Sequence, residues 1–297
     1  MSVVLPRAPG AEGPPRRRRR EAWDRFARNR LALAGGAFLV FAAAACAAAP
    51  LLAHESPTAM ALASPYGPPA PAHIFGTDAL GRDVWSRVLW GGRVDLSLAV
   101  VAVLVASLGG IALGVVTGYG GGALDEVVMR AVDVFLAIPE LLLALALVAF
   151  VGPSIPSVVG ILAFSRLPRY TRMVRGTVLA LRGREFVTAS AALGASRARL
   201  LRRHIVPNLA GTIAVYSTLD LGGVIGALAG LSFIGAGVQP PAPEWGVMLA
   251  DARQNLVLAP WTAVFPGLAI TITIIAFNVL GDGVRDALDP RMRRRAG

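Results

Sequence analysis

Apolar residues in this chain come in long unbroken runs, not at the short spacings of half-buried strands or amphipathic helices. Residues 31–53 hold 23 positions without a charge, 96–124 and 255–281 are uncharged throughout, and 209–238 is interrupted only by Asp220. A hydrocarbon core about 30 Å thick is crossed by about 20 apolar residues in helical form, so each run suffices for one crossing. The stretch from Glu126 to Arg175 is harder to divide. Its strictly uncharged part, 141–165, carries Gly152-Pro153 and Pro156 near its middle, and these residues end or kink a helix. The pattern leaves either one kinked span or two.

Charge placement decides between them. All 29 basic residues are arginine, there is no lysine, and the net charge is +11. Loops retained in the cytoplasm carry the excess of basic residues. Nine arginines precede residue 31 and ten fall between Arg166 and Asn208, which puts both segments on the cytoplasmic side and demands an even number of spans between them. The uncertain stretch therefore supplies two, about 127–151 and 154–172. The last two spans return the C-terminal end, with five arginines, to the same side. Only three arginines lie in 54–93 and one in 238–254. The expectation is an all-α polytopic membrane protein with six transmembrane helices and cytoplasmic N and C termini. Its parts are an arginine-rich tail (1–30), a first span (31–53), an external loop with an interfacial helix (54–93), a five-helix core (94–284) containing a cytoplasmic loop (173–208), and a second tail (285–297). "RRRRR" before an alanine-rich stretch ending "AAAC" also suits a secretory or lipoprotein signal, but a run of 23 residues is long for one, and the parity count uses it as an uncleaved helix.

Several chemistries are excluded at once. A P-loop places a lysine against the β- and γ-phosphates, and a chain without lysine has none. The single cysteine, Cys46, forms no intrachain disulfide, and with three histidines no metal site is expected. Arginines lying between apolar runs fit membrane orientation and not nucleic acid. No nucleophile and base are placed together at membrane depth, which argues against a membrane hydrolase. Secondary transporters often show a repeat relating the two halves; none is visible here, which leaves a secondary transporter as an alternative behind the other readings.

The polar segment 185–208 reads as a helix-turn-helix. Glu185 suits a helix start, Phe186, Ala189 and Ala192 or Leu193 recur at helical spacing, Gly194 ends the helix, Ser196 can cap a second, and Pro207 is expected to stop that one. Its apolar positions Phe186, Leu193, Leu200 and Leu201 have no evident core within the loop. "TASAALGASRARLLRRHIVPN" resembles the cytoplasmic loop of ABC importer permeases, with Ala189, Gly194 and Pro207 at the family's spacing, while Thr188 and Ser190 depart from its usual Glu and Ala. "HIFGTDALGRDVWSRVLWGGRVDLSLAV" resembles a signature of the dipeptide, oligopeptide and nickel branch, fitting at Gly76, Thr77, Asp78, Gly81, Arg82 and Asp83. In physical terms, Thr77 or Asp78 would cap a helix and Asp83 would pair with Arg87. "GLSFIGAGVQPPAPEWGVMLADARQNL" looks like the same branch, and its Gln239–Pro243 stretch cannot be helical.

The resemblance implies a permease subunit without cofactor or metal of its own, in the bacterial cytoplasmic (inner) membrane. Its implied partners are a homologous sister permease in a heterodimer, two cytoplasmic ATPase subunits holding ATP and Mg, an external solute-binding protein and the lipid bilayer. Peptides are the implied cargo, with nickel or another small solute as the alternative. The residues it assigns to ATPase coupling are Glu185, Phe186, Thr188, Ala189, Ala192, Leu193, Gly194, His204 and Pro207. Glu140 and Asp220, charges within apolar runs, and Asn278 are candidates for the pathway or a subunit interface.

Overall fold

The computed structural model describes residues 23–288, so most of both expected tails lies outside the described residues. Helix α1 (Arg30–Ala47) starts at Asn29, whose side chain accepts from Ala32 N, and a one-residue break leads into α2 (Ala49–Leu52). An irregular segment then reaches α3 (Val84–Gly120), 37 residues long. The cap of α3 is Asp83, whose Oδ2 accepts from Ser86 N at 2.8 Å, and not Thr77 or Asp78. The interfacial helix expected within 54–93 is simply the first turns of α3. Nothing between Val84 and Gly120 breaks the backbone, and Gly91-Gly92 is covered by Trp245.

The third expected span, about 127–151, is not straight. Helices α4 (Gly122–Ala137) and α5 (Glu140–Val151) meet at 96°. Pro139 has no N–H to continue the ladder and holds Ile138 extended, at φ −89° and ψ 129°. By itself α5 is about 18 Å long, short of the hydrocarbon thickness. A turn at Gly152 leads to α6 (Ile155–Arg182), capped by Ser154. Two short helices follow, α7 (Glu185–Ala192) and α8 (Arg197–Leu200), then a π-helical turn (Leu201–Ile205) that runs into α9 (Val206–Phe233). Beyond a non-helical stretch that includes Gln239–Pro243 lie α10 (Trp245–Ala252) and α11 (Trp261–Leu288). Among the described residues, α1, α3, the continuous stretch Arg197–Phe233 and α11 are each long and apolar enough to cross a membrane, and the bent α4–α5 pair makes a fifth if counted as one.

The closest helix pair is α3 against α6. Gly110, Gly114 and Gly118 form one stripe of α3 at four-residue intervals and face Tyr170, Thr171, Val174 and Val178. A Cβ on Gly114 would stand 2.7 Å from Val174 Cβ, and one on Gly118 2.9 Å from Val178 Cβ. Small residues at this spacing let helix backbones approach where lipid offers no hydrophobic drive for association. Gly160, on α6 itself, has open space around it.

Gly114→Val should therefore destabilise the fold by about 1–3 kcal/mol or more, read as a lower unfolding midpoint in detergent. Gly160→Ala should shift it by no more than about 1 kcal/mol.

Candidate functional site

Helix α6 carries Arg166, Arg169, Arg172 and Arg175 at every third position, so each stands about 60° further round the helix than the last and the four wind across half of its circumference. Each meets an acid. Arg175 grips Asp125 through two bonds, Nε to Oδ1 at 2.5 Å and a terminal nitrogen to Oδ2 at 2.7 Å. Arg172 pairs with Asp133, Arg169 with Glu140 at 2.9 Å, and Arg166 with Glu140 at 2.6 Å and Asp220 at 2.5 Å. As arginine numbers fall the acid numbers rise, so α6 runs antiparallel to α4 and reaches the start of α5 at Glu140.

Glu140 and Asp220, expected as charges within apolar runs, share one guanidinium. Glu140 reaches it because the Pro139 break sets it at the N-terminus of α5, and Asp220 because it lies midway along α9. Gly223, one turn beyond Asp220, leaves the space that Arg166 fills, since a Cβ there would lie 2.9 Å from the guanidinium. The hydroxyl of Tyr170 donates to Ser217 Oγ at 3.2 Å beside the cluster, and the Tyr170 and Tyr216 rings meet edge to face. Arg166 is buried and is not the solvated loop charge that the arginine count took it for. The three-residue spacing was the available signal, because it sets successive arginines about one helical turn apart, where a neighbouring helix can pair them in series. Asn278 joins none of this: it is exposed on α11 near Ile272 and Ile275.

At the other end of α6 the chain enters the hairpin. Glu185, Thr188, Ala189 and Ala192 are exposed on α7, and Thr188 Oγ1 bonds back to Arg184 O at 3.3 Å. Gly194 sits at φ +82°, the left-handed turn that lets the chain reverse, and no atom lies within 4 Å of where a Cβ would stand. Ser196 caps α8 by accepting from Arg199 N. The four apolar side chains then divide: Leu200 packs inward and Leu201 is half-buried, whereas Phe186 is 41% exposed and Leu193 90% exposed. His204 lies under α7, with Nε2 3.4 Å from Ser190 Oγ and its ring beside Phe186.

Pro207 does not stop a helix, contrary to expectation. The π turn adds a residue just before it, with Val206 N–H bonding five residues back to Leu201 O, and Pro207 enters the first turn of α9, where a missing N–H is tolerated. The side chain of Asn208 reaches back to His204 O at 2.6 Å.

The signature segment, residues 73–87, folds as a tight loop on the start of α3. Gly76 is at φ +73° against Gly67 O and the Trp261 indole, and Gly81 packs on the Ala61 backbone. Thr77 Oγ1 accepts from Gly67 N and donates to Ser64 O. Asp78 accepts from Leu80 N, Arg82 N and Arg82 Nε. The expected Asp83–Arg87 pair does not form, because Asp83 is occupied with its cap and with His73 at 3.1 Å. Arg87 turns instead toward Asp78 and Asp251, and Arg82 reaches Asp251 at 3.2 Å.

The family described as the binding-protein-dependent transport system inner membrane component matches residues 110–294, the part that holds the arginine ladder and the hairpin. The chain belongs to this family. A second family, the N-terminal TM domain of oligopeptide transport permease C, matches residues 18–69. The glutathione transport system permease protein GsiD of Pectobacterium atrosepticum is 42% identical over 275 residues, which cover 92% of this chain and 91% of the relative. The dipeptide transport system permease protein DppC of Alkalihalophilus pseudofirmus is 40% identical over 92% of this chain and 90% of its own length. The chain is thus an ABC importer permease of the peptide branch, a membrane transport subunit.

Removing Arg166 strands Asp220 in a buried site. Arg166→Met should destabilise by about 3–5 kcal/mol. Adding Asp220→Asn should recover much of that loss, as measured by thermal unfolding in detergent and by the amount of folded protein in membranes.

Proposed function

We propose that this chain is one of two homologous pore subunits of an ATP-driven importer of di- and oligopeptides in the cytoplasmic (inner) membrane. A sister permease completes the pathway, two ATPase subunits power it, and an external solute-binding protein delivers the cargo. The observation that carries this reading is the hairpin 185–208, which presents Phe186 and Leu193 to solvent beside a dense arginine face. Exposed large apolar side chains at a turn are what a partner groove recognises. Family membership supports an ATPase as that partner, and the relatives' names favour peptides as cargo.

In this reading the chain crosses six times with both ends inside. Helix α6 serves as the crossing that composition does not count, and the ladder of carboxylates supports it by neutralising its arginines. Insertion scales put an unpaired central arginine at about 2.5–3.5 kcal/mol, and pairing offsets that. Asn278, exposed on an apolar face of α11, is assigned to the sister interface or the pathway, where its amide finds a partner.

With Cys46 replaced by alanine, single cysteines at Ser64 and Pro241 should react with an impermeant thiol reagent in intact cells, and one at the exposed Ala198 should react only after permeabilisation. External labelling at Ala198 would reverse the topology and remove the hairpin from the ATPase side. Gly194→Ala should cost about 1–2 kcal/mol locally through the left-handed backbone. Gly194→Asp also places a charge in the proposed interface. It should leave abundance near normal yet abolish peptide uptake and cargo-stimulated ATP hydrolysis in proteoliposomes of the full complex. Normal uptake by Gly194→Asp would leave the hairpin no coupling role.

A further inference from the structure

A second group of buried charges lies at the opposite end of the molecule from the hairpin. Asp95 is in α3, about three turns beyond the Asp83 cap, and Glu244 is the N-cap of α10. Their relative exposures are 1% and 0%. Glu244 accepts from Gly246 N at 2.9 Å and from Val247 N at 2.7 Å, and Asp95 Oδ2 accepts from Trp245 N at 3.2 Å. Asp95 Oδ1 receives no donor among the described residues, and Asp95 stands beside Glu244, because the N–H that it accepts belongs to the next residue of the chain.

Among the described residues, no cation balances them. Arg82 and Arg87 are engaged with Asp78 and Asp251 at the far end of α10, and Arg93 lies over the Trp90 ring. The other groups that face the pair are the Cys46 thiol from α1 and the Ser232 hydroxyl from α9, and neither is positively charged. Two carboxylates in buried contact without a cation do not both stay ionised. One proton between them turns the repulsion into a hydrogen bond in which a protonated carboxyl donates to its neighbour.

We propose that Asp95 and Glu244 bind a single proton between them, and that this proton latches the N-terminal end of α10 to α3. The surrounding contacts are shaped for that closure. The Trp245 indole donates to Val88 O at 2.9 Å and lies against Gly91 and Gly92, where Cβ atoms would stand 3.1 and 2.6 Å from the ring. The other end of α10 is held independently through Asp251, so loss of the proton frees one end of the helix and not both. The latched state binds one proton more than the opened one, so the latch weakens as pH rises. Burial pushes the Glu244 carboxyl above the usual carboxylate range, and the release is therefore expected above that range. The site belongs to this chain's own packing and does not depend on the cargo assigned above.

The test uses the full-length chain in lipid nanodiscs with the subunits that copurify with it. Infrared spectra at neutral pH should contain a carboxylic-acid C=O band that shifts in D2O and is lost in both Asp95→Asn and Glu244→Gln. Hydrogen exchange of residues 245–252, corrected for the intrinsic effect of pH, should lose protection about tenfold per pH unit above the pair's midpoint in the unaltered protein. In Glu244→Gln the protection should be independent of pH. Survival of the band in both variants would overturn the proposal, as would unchanging protection of α10 in the unaltered protein across the titration. Should a variant fail to fold, the exchange titration of the unaltered protein decides by itself.

Discussion

A helix with four guanidinium groups winding along it can pack among apolar helices only if each guanidinium meets a carboxylate, and much of the core is arranged to satisfy that. The broken course of α4 and α5 distributes Asp125, Asp133 and Glu140 along α6, and α9 adds Asp220 where the ladder goes deepest. The opposite demand acts on the neighbouring face of α6. There the glycine stripe of α3 brings two backbones together against Tyr170, Thr171, Val174 and Val178. Helix α6 is thus fixed by ion pairs on one side and by close steric fit on another. Buried ion pairs of this kind contribute less to net stability than to choosing one arrangement, because any slip of α6 strands a charge.

The helical class and the apolar runs were legible because they follow from length and hydropathy. The hairpin at 185–208 was legible because Glu185, Gly194 and Ser196 act locally, through caps and a left-handed turn. What escaped was what tertiary structure decides. Arg166 was counted as a loop charge, since a tally of arginines does not distinguish a solvated guanidinium from one paired across helices. Asp83 and Arg87 stand four residues apart and suit an intrahelical pair, yet Asp83 has the competing task of capping and Arg87 has two other carboxylates in reach. Pro207 signals a helix end, but the π turn before it absorbs the missing donor. The stripe at Gly110, Gly114 and Gly118 had a spacing that could have been read, and the long apolar run around it drew attention to hydropathy instead.

The two faces of the molecule are finished differently. On the side of the signature loop, polar side chains are buried and mutually engaged: Thr77, Asp78, Arg82, Asp83 and Arg87 tie the loop to α3 and to α10. On the hairpin side, α7 is joined to the rest by few contacts and keeps its large apolar side chains outward. The first arrangement spends its polar groups on internal order, and the second leaves a surface to be completed from outside.

Helix α3 links these faces without interruption. Its 37 residues measure about 55 Å, nearly twice the hydrocarbon thickness, and no proline interrupts it. A rod of that length behaves as a lever. Tilted by about 10° around its midpoint, it moves each end by about 5 Å in opposite directions, close to the rise of one helical turn. An event confined to the signature loop is in this way felt beside Gly118 and Val178, about one turn before α6 ends at Arg182.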